Sequence, residues 1–138
     1  MSILLDTSFV VSAGYPDDRN SPRATELLRE IVTGSFGAAF VTDYVVDEAL
    51  TLVWARTRRS GLVRHMADFL LAPDPLDRPG RLVFVGEAAF HEAARQHRNR
   101  HDRLSFTDCT SLAVMAEHGI SAIATFDRGF EGLSEVVR

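Results

Sequence analysis

Short apolar runs recur along this chain, and longer stretches with helical spacing fill the intervals. The runs are Ile3–Leu5, Ala38–Val41, Leu82–Val85 and Ile120–Ala124. Each is too short for a helix and is followed by turn or helix-start residues, which marks strands. Ile3–Leu5 has no polar alternation, as expected of a strand buried on both faces. Strands separated by helices need crossover connections, and crossovers build a parallel sheet. The pattern predicts an α/β fold with a central parallel sheet of four to five strands flanked by helices.

The intervals supply the helices. Thr7–Ala13 is long enough for a short one, and GYPDDRN (Gly14–Asn20) is a loop by its turn residues. Ser21 reads as an N-cap with Pro22 at the first helical position, and Leu27, Leu28, Ile31 and Val32 follow at helical spacing up to Gly34. Asp43 is a candidate cap for a helix carrying Val46, Leu50, Val53 and Trp54. Gly61 interrupts, and Leu62–Leu71 resumes as an amphipathic helix. Ala72–Gly80 holds three prolines and is a loop. A helix is predicted from Glu87 to about Arg100, and another from Ser105 to Gly119. Glu135–Val137 reads as a short last strand. No repeat or linker divides residues 1–138, a length that suits one domain.

Four acids stand at the junctions of this pattern. Asp6 ends the first strand, and Asp127 follows the fourth. Glu48 lies early in the helix after the second strand, and Asp108 lies in the first turn of the helix begun by Ser105. In an open parallel sheet these junctions share the carboxyl edge, where ligands bind. At ~5 Å and an effective dielectric of ~20, each pair of carboxylates repels by roughly 3 kcal/mol. A hard cation such as Mg²⁺ or Mn²⁺ offsets that repulsion, because it takes oxygen ligands. Each acid also has a structural reading. Asp6 can cap the next helix, and Ser105-Phe106-Thr107-Asp108 fits a capping box. Asp127-Arg128-Gly129 can be a plain turn, and Glu48 a solvent-facing helix residue.

Composition narrows the chemistry. The net charge is −4, so the chain as a whole does not attract nucleic acid. Arginine is concentrated in two stretches instead: Arg56, Arg58, Arg59 and Arg64, then Arg95, Arg98, Arg100 and Arg103. These are either phosphate-contacting patches or solvated helix faces. There is no lysine, which excludes a P-loop and disfavours phosphoryl-aspartate enzymes that rely on an active-site lysine. Cys109 is the single cysteine, so neither an intrachain disulfide nor a cysteine-based metal site can form. No apolar run is long enough to span a bilayer. The N-terminus reads as a strand rather than a signal peptide, and a cytoplasmic setting is expected.

The motifs LLDTS (Leu4–Ser8), Thr42 with Glu48 six residues on, LSFTDCTSLAVM (Leu104–Met115) and ATFDRGF (Ala124–Phe130) together resemble the PIN-domain ribonucleases, and among them the VapC-type toxins of toxin–antitoxin pairs. The resemblance covers nearly the whole chain. It implies a PIN-like fold and a Mg²⁺- or Mn²⁺-dependent endoribonuclease whose catalytic, metal-holding acids are Asp6, Glu48, Asp108 and Asp127, supported by the hydroxyls of Thr7 and Thr125. It further implies an RNA substrate, a small antitoxin partner whose C-terminal segment covers the acidic groove, and a homodimer. Asp47 adjoins Glu48, and Asp102 precedes the Ser105 helix; motif spacing selects Glu48. Arg56, Arg58, Arg59, Arg95, Arg98, Arg100 and Arg103 are the candidate RNA contacts. The contrasting reading is a non-catalytic, cation-stabilised module that binds RNA or protein on the same scaffold.

Other residues attract blander readings. His97 and His101 share a helix face, but His91 does not join them, and a basic exposed face is expected rather than zinc. Cys109 is expected to be a small buried side chain. Trp54, Phe69, Phe84 and Phe90 are expected in the core.

Overall fold

The computed structural model describes all of residues 1–138. Its strands are β1 (Ser2–Leu5), β2 (Ala38–Thr42), β3 (Arg81–Val83), β4 (Ala122–Ala124) and β5 (Glu135–Val137). They form one parallel sheet in the order β3-β2-β1-β4-β5. The helices are α1 (Thr7–Gly14), α2 (Ser21–Val32), α3 (Asp43–Thr57), α4 (Ser60–Leu70), α5 (Glu87–Arg100) and α6 (Phe106–His118). The predicted α/β sheet sandwiched by helices is therefore what the chain forms.

The sequence of β1 explains its central place. Ile3 and Leu5 point into a core shared with α1, α2, α3 and α4, whereas Leu4 points into a second core shared with α5 and α6. All three are fully buried. An alternating pleat with apolar residues on both faces fits only an interior strand. β4 repeats the device, with Ala122 and Ala124 on the first side and Ile123 on the second. From β1 the chain winds out through β2 and β3, then returns to the opposite edge of β1 for β4 and β5. The strand order thus reverses at the β1/β4 boundary, where such sheets open a crevice beyond the strand ends.

Several local expectations need correction. Asn20, not Ser21, is the N-cap of α2, and it makes no side-chain cap bond; Pro22 starts the helix by its fixed φ alone. Thr42 caps α3, accepting from the Val45 N–H at 3.1 Å, and Asp43 instead accepts from the Val85 N–H at 2.8 Å. The α3–α4 break lies at Arg58 rather than Gly61. Arg58 is left-handed with φ 52°, and the Thr57 hydroxyl donates to Val53 O while accepting from the Arg59 N–H. That side chain competes with the next helical bond and ends the helix. Gly61 lies inside α4 with no local strain. Strand β3 ends at Val83, so Phe84 escapes the sheet.

Three aromatic expectations also fail. Trp54, Phe84 and Phe90 are 41%, 69% and 40% exposed. Trp54 lies on the outer side of α3 with the Arg58 guanidinium 5.2 Å above its ring, a cation–π contact that keeps the indole at the surface. Phe90 meets His91 edge-on and Phe106 at a tilt on the outside of the second core. Phe69 does pack against the first core, and Phe130 is fully buried in the second.

The packing yields a stability prediction. Leu27 is fully buried on the inner stripe of α2, and Val32 is largely exposed at its end. Leu27→Ala should lower unfolding free energy by roughly 2–5 kcal/mol in urea titration, and Val32→Ala by roughly 0.5 kcal/mol or less. Equal effects would contradict this orientation of α2.

Candidate active site

The first residue after β1 is Asp6, and burial sets its chemistry. It is 2% exposed, at the crevice between β1 and β4. Its Oδ2 accepts from the Thr125 hydroxyl at 2.7 Å and the Ser8 hydroxyl at 2.9 Å. Its Oδ1 is buried with no hydrogen-bond partner. Burial pushes the Asp6 carboxyl above its ordinary range, against the pull of these hydroxyls and the backbone N–H groups of Thr7 and Ser8. The hydroxyls are themselves fixed: the Ser8 Oγ accepts from the Phe126 N–H, and the Thr125 Oγ1 accepts from the Asp127 N–H. One small network ties the end of β1 to the end of β4.

Asp108 approaches from the start of α6. The capping box is present: the Ser105 hydroxyl accepts from the Asp108 N–H at 3.1 Å, and the Asp108 Oδ2 accepts from the Ser105 N–H at 2.8 Å. Burial, then the Asp6 charge beside it, pushes the Asp108 carboxyl up to about 7, the Ser105 hydrogen bonds pull the other way, and the Asp127 charge adds to the rise. Asp127 is exposed, and its Oδ1 accepts from the Gly129 N–H at 2.7 Å. A Cβ on Gly129 would stand 2.9 Å from Arg103 O and 3.1 Å from that Asp127 oxygen, so only glycine permits the turn. Glu48 is half-buried on α3.

These four acids line one cavity of about 480 Å³, together with Thr7, Ser8, Ser12, Asp18, Arg19, Asn20, Arg56 and Ser105. As the side chains stand, no three His, Cys, Asp or Glu residues close on a single point that would hold a metal ion. The donor set nonetheless suits a hard cation. Asp6, Asp108 and Asp127 each commit one oxygen to the protein, and the Asp6 Oδ1 is a dehydrated acceptor with nothing to accept from.

A model of the PIN domain matches residues 3–136. The chain belongs to the PIN-domain family. Two relatives, VapC ribonuclease Mb1869c of Mycobacterium bovis and ribonuclease VapC13 of Mycobacterium tuberculosis, are each 28% identical to it, over 99% of this chain and 98% of theirs. The crystal structure of Mycobacterium tuberculosis VapC20, described as a sarcin–ricin-loop-cleaving toxin, superposes with TM-score 0.78 at 28% identity, covering 99% of this chain and 98% of that one. FitAcB of Neisseria gonorrhoeae shares the fold, with TM-score 0.68 at 20% identity over 99% and 96% of the two chains.

Within this PIN domain the remaining expected residues are dispersed. Asp47 and Asp102 are exposed and do not line the cavity. Thr7 lines it, but its hydroxyl makes no hydrogen bond; Ser8, one residue on, is the hydroxyl that Asp6 uses. Of the seven candidate arginines only Arg56 reaches the cavity. Arg58 lies on Trp54, and Arg59 faces Asp17 at 3.9 Å. Arg95 is held by Glu92, and with Arg100 it lines a separate cavity beside Leu112 and Leu133. Arg103 donates to the Glu131 carbonyl, and Arg98 lines neither cavity. Arg19, the single cation of the loop GYPDDRN, lines the cavity too, and only the folded chain shows that this loop meets the sheet edge. Cys109 is buried, and burial pushes its thiol up, so it is no nucleophile.

The raised acids of this PIN domain dictate a pH dependence. Between about pH 4 and 7 folded Asp108 keeps a proton that the unfolded chain has released, so metal-free stability falls as pH rises through that window. The loss attributable to Asp108 is on the order of 4 kcal/mol at most. Asp108→Asn retains an oxygen for the capping box and carries no charge. In EDTA its Tm should exceed that of the wild type at pH 8 and match it at pH 4.5. A lower Tm for the variant at both pH values would contradict the assigned repulsion.

Proposed function

We propose that residues 1–138 act as one PIN-like domain, a Mg²⁺- or Mn²⁺-dependent endoribonuclease that serves as the toxin of a toxin–antitoxin pair. The observation that carries this reading is the meeting of Asp6, Glu48, Asp108 and Asp127 in one cavity, with the buried Asp6 Oδ1 left without a partner. The 28% identity to two VapC ribonucleases along the full chain supports the same reaction class. The likeness to VapC20, described as a toxin, supports the biological role.

Asp6, Glu48, Asp108 and Asp127 are the residues that would hold the cation. When bound, a divalent cation supplies charge neutralisation at the scissile phosphate and acidifies water. The chain's own residues do the positioning. Thr125 and Ser8 fix one Asp6 oxygen, so the other keeps its aim. The Ser105 N–H does the same for Asp108, and the Gly129 N–H for Asp127. Asp127, exposed, and Glu48, half-buried, are the carboxylates free to orient the attacking water and accept its proton. The proposed partners are RNA, a small antitoxin that covers the cavity, and a second copy of the chain.

The absence of a preformed coordination point favours one competing reading, a non-catalytic module that binds RNA or protein and takes a cation for stability. Purified protein should cut total RNA into discrete products with Mg²⁺ or Mn²⁺ and not with EDTA. Asp6→Asn should lower that rate roughly 10²-fold or more. Cleavage that persists unchanged in EDTA, or equally in the variant, would contradict the assignment. A cation-dependent rise in Tm with no cleavage would favour the binding module.

A further inference from the structure

Two arginines share the acidic cavity, Arg19 in the loop before α2 and Arg56 near the end of α3. Neither makes an ion pair or a side-chain hydrogen bond, although five carboxylates (Asp6, Asp18, Glu48, Asp108 and Asp127) line the same space. The acids beside Arg19 have partners of their own, Asp18 through Oδ1 alone. Asp18 beside Arg19 accepts from the Ser12 hydroxyl at 2.8 Å and from the Asn20 N–H at 2.9 Å, and Asp17 faces Arg59. The Asp18 bonds also pin the loop, so Arg19 projects from a fixed base.

On α3, Glu48, Leu52 and Arg56 follow at intervals of four residues and all line the cavity. The stripe carries Arg56 about 12 Å along the helix axis from Glu48. No ion pair joins Arg56 to the acids across that separation, and the spacing suits the next stretch of a bound polyanion. An unpaired guanidinium presents a planar fork of donors that matches phosphate oxygens.

We propose that Arg19 and Arg56 grip the phosphates flanking the scissile one, so that the acidic cavity accepts a single-stranded RNA backbone running across it. This rests on the ribonuclease reading given above. The arrangement resolves an electrostatic conflict: a cavity lined by five acids repels RNA unless cations near it hold the strand.

The test is binding and cleavage of a fluorescein-labelled single-stranded RNA oligonucleotide by the wild type, Arg19→Ala, Arg56→Ala and the two lysine variants. Binding is read by anisotropy in EDTA and cleavage in Mg²⁺. Each alanine variant should raise Kd and KM about tenfold, with a smaller change in kcat. Each should also flatten the slope of log Kd against log salt by about 0.7, the value for one phosphate on a single strand, and lysine should restore that slope. The Mg²⁺-induced rise in Tm should be unchanged in all variants, which shows that folding and the cation site are intact. Unchanged Kd and salt slope in both alanine variants, with wild type binding RNA, would overturn the proposal alone. A lost Mg²⁺ response would also overturn it, by making the arginines part of the acid cluster. Wild type that neither binds nor cuts RNA would overturn the ribonuclease reading as well.

Discussion

The fold places a carboxylate at the floor of a cavity with almost no exposed surface, and the surrounding structure answers that cost. Asp6 ends the central strand, and its main chain is locked there by the Asp6 N–H to Ala124 O bond at 3.0 Å. Moving it outward would break the β1/β4 pairing on which both cores rest. The charge is therefore handled locally. Two hydroxyls satisfy one oxygen, and the second oxygen remains unpaired. An unsatisfied buried acceptor costs roughly 1–3 kcal/mol, more when charged, and such groups persist where a ligand completes them.

Three of the acids hold the local structure as well as lining the cavity. Asp6 caps α1, Asp108 closes a capping box on α6, and Asp127 caps the turn at Arg128–Phe130. Each does so with one oxygen. Capping and ligand binding looked like competing explanations because a residue name does not separate its two oxygens. In three dimensions the cap fixes the rotamer, and the fixed rotamer aims the other oxygen. Helix starts also offer favourable N-terminal dipoles for negative charge.

What the sequence revealed follows the range of the forces involved. Helix α5 and strand β5 match their expected bounds, and the Ser105 cap, the Gly119 end and the five parallel strands match too. These depend on local pattern. The errors fall where a neighbour decides. Trp54 has a helical spacing that suits a core, but Arg58 holds it outside. Gly61 looks like the breaker, yet the Thr57 side chain, four residues earlier, ends the helix. Ser8 was passed over for Thr7 because only the folded turn shows which hydroxyl faces Asp6. Dispersal of the arginines was likewise invisible, since clustering in sequence says nothing about which face of the sheet a helix covers.

Whether Asp6, Glu48, Asp108 and Asp127 hold a divalent cation is open to direct measurement. Titration of metal-free protein with Mn²⁺, followed by electron paramagnetic resonance of the free ion, tests it without reference to any substrate. The account predicts saturable binding at the cavity, displaced by excess Mg²⁺ and lost or greatly weakened in Asp6→Asn. Binding of equal strength in wild type and Asp6→Asn, or none in either, would contradict it.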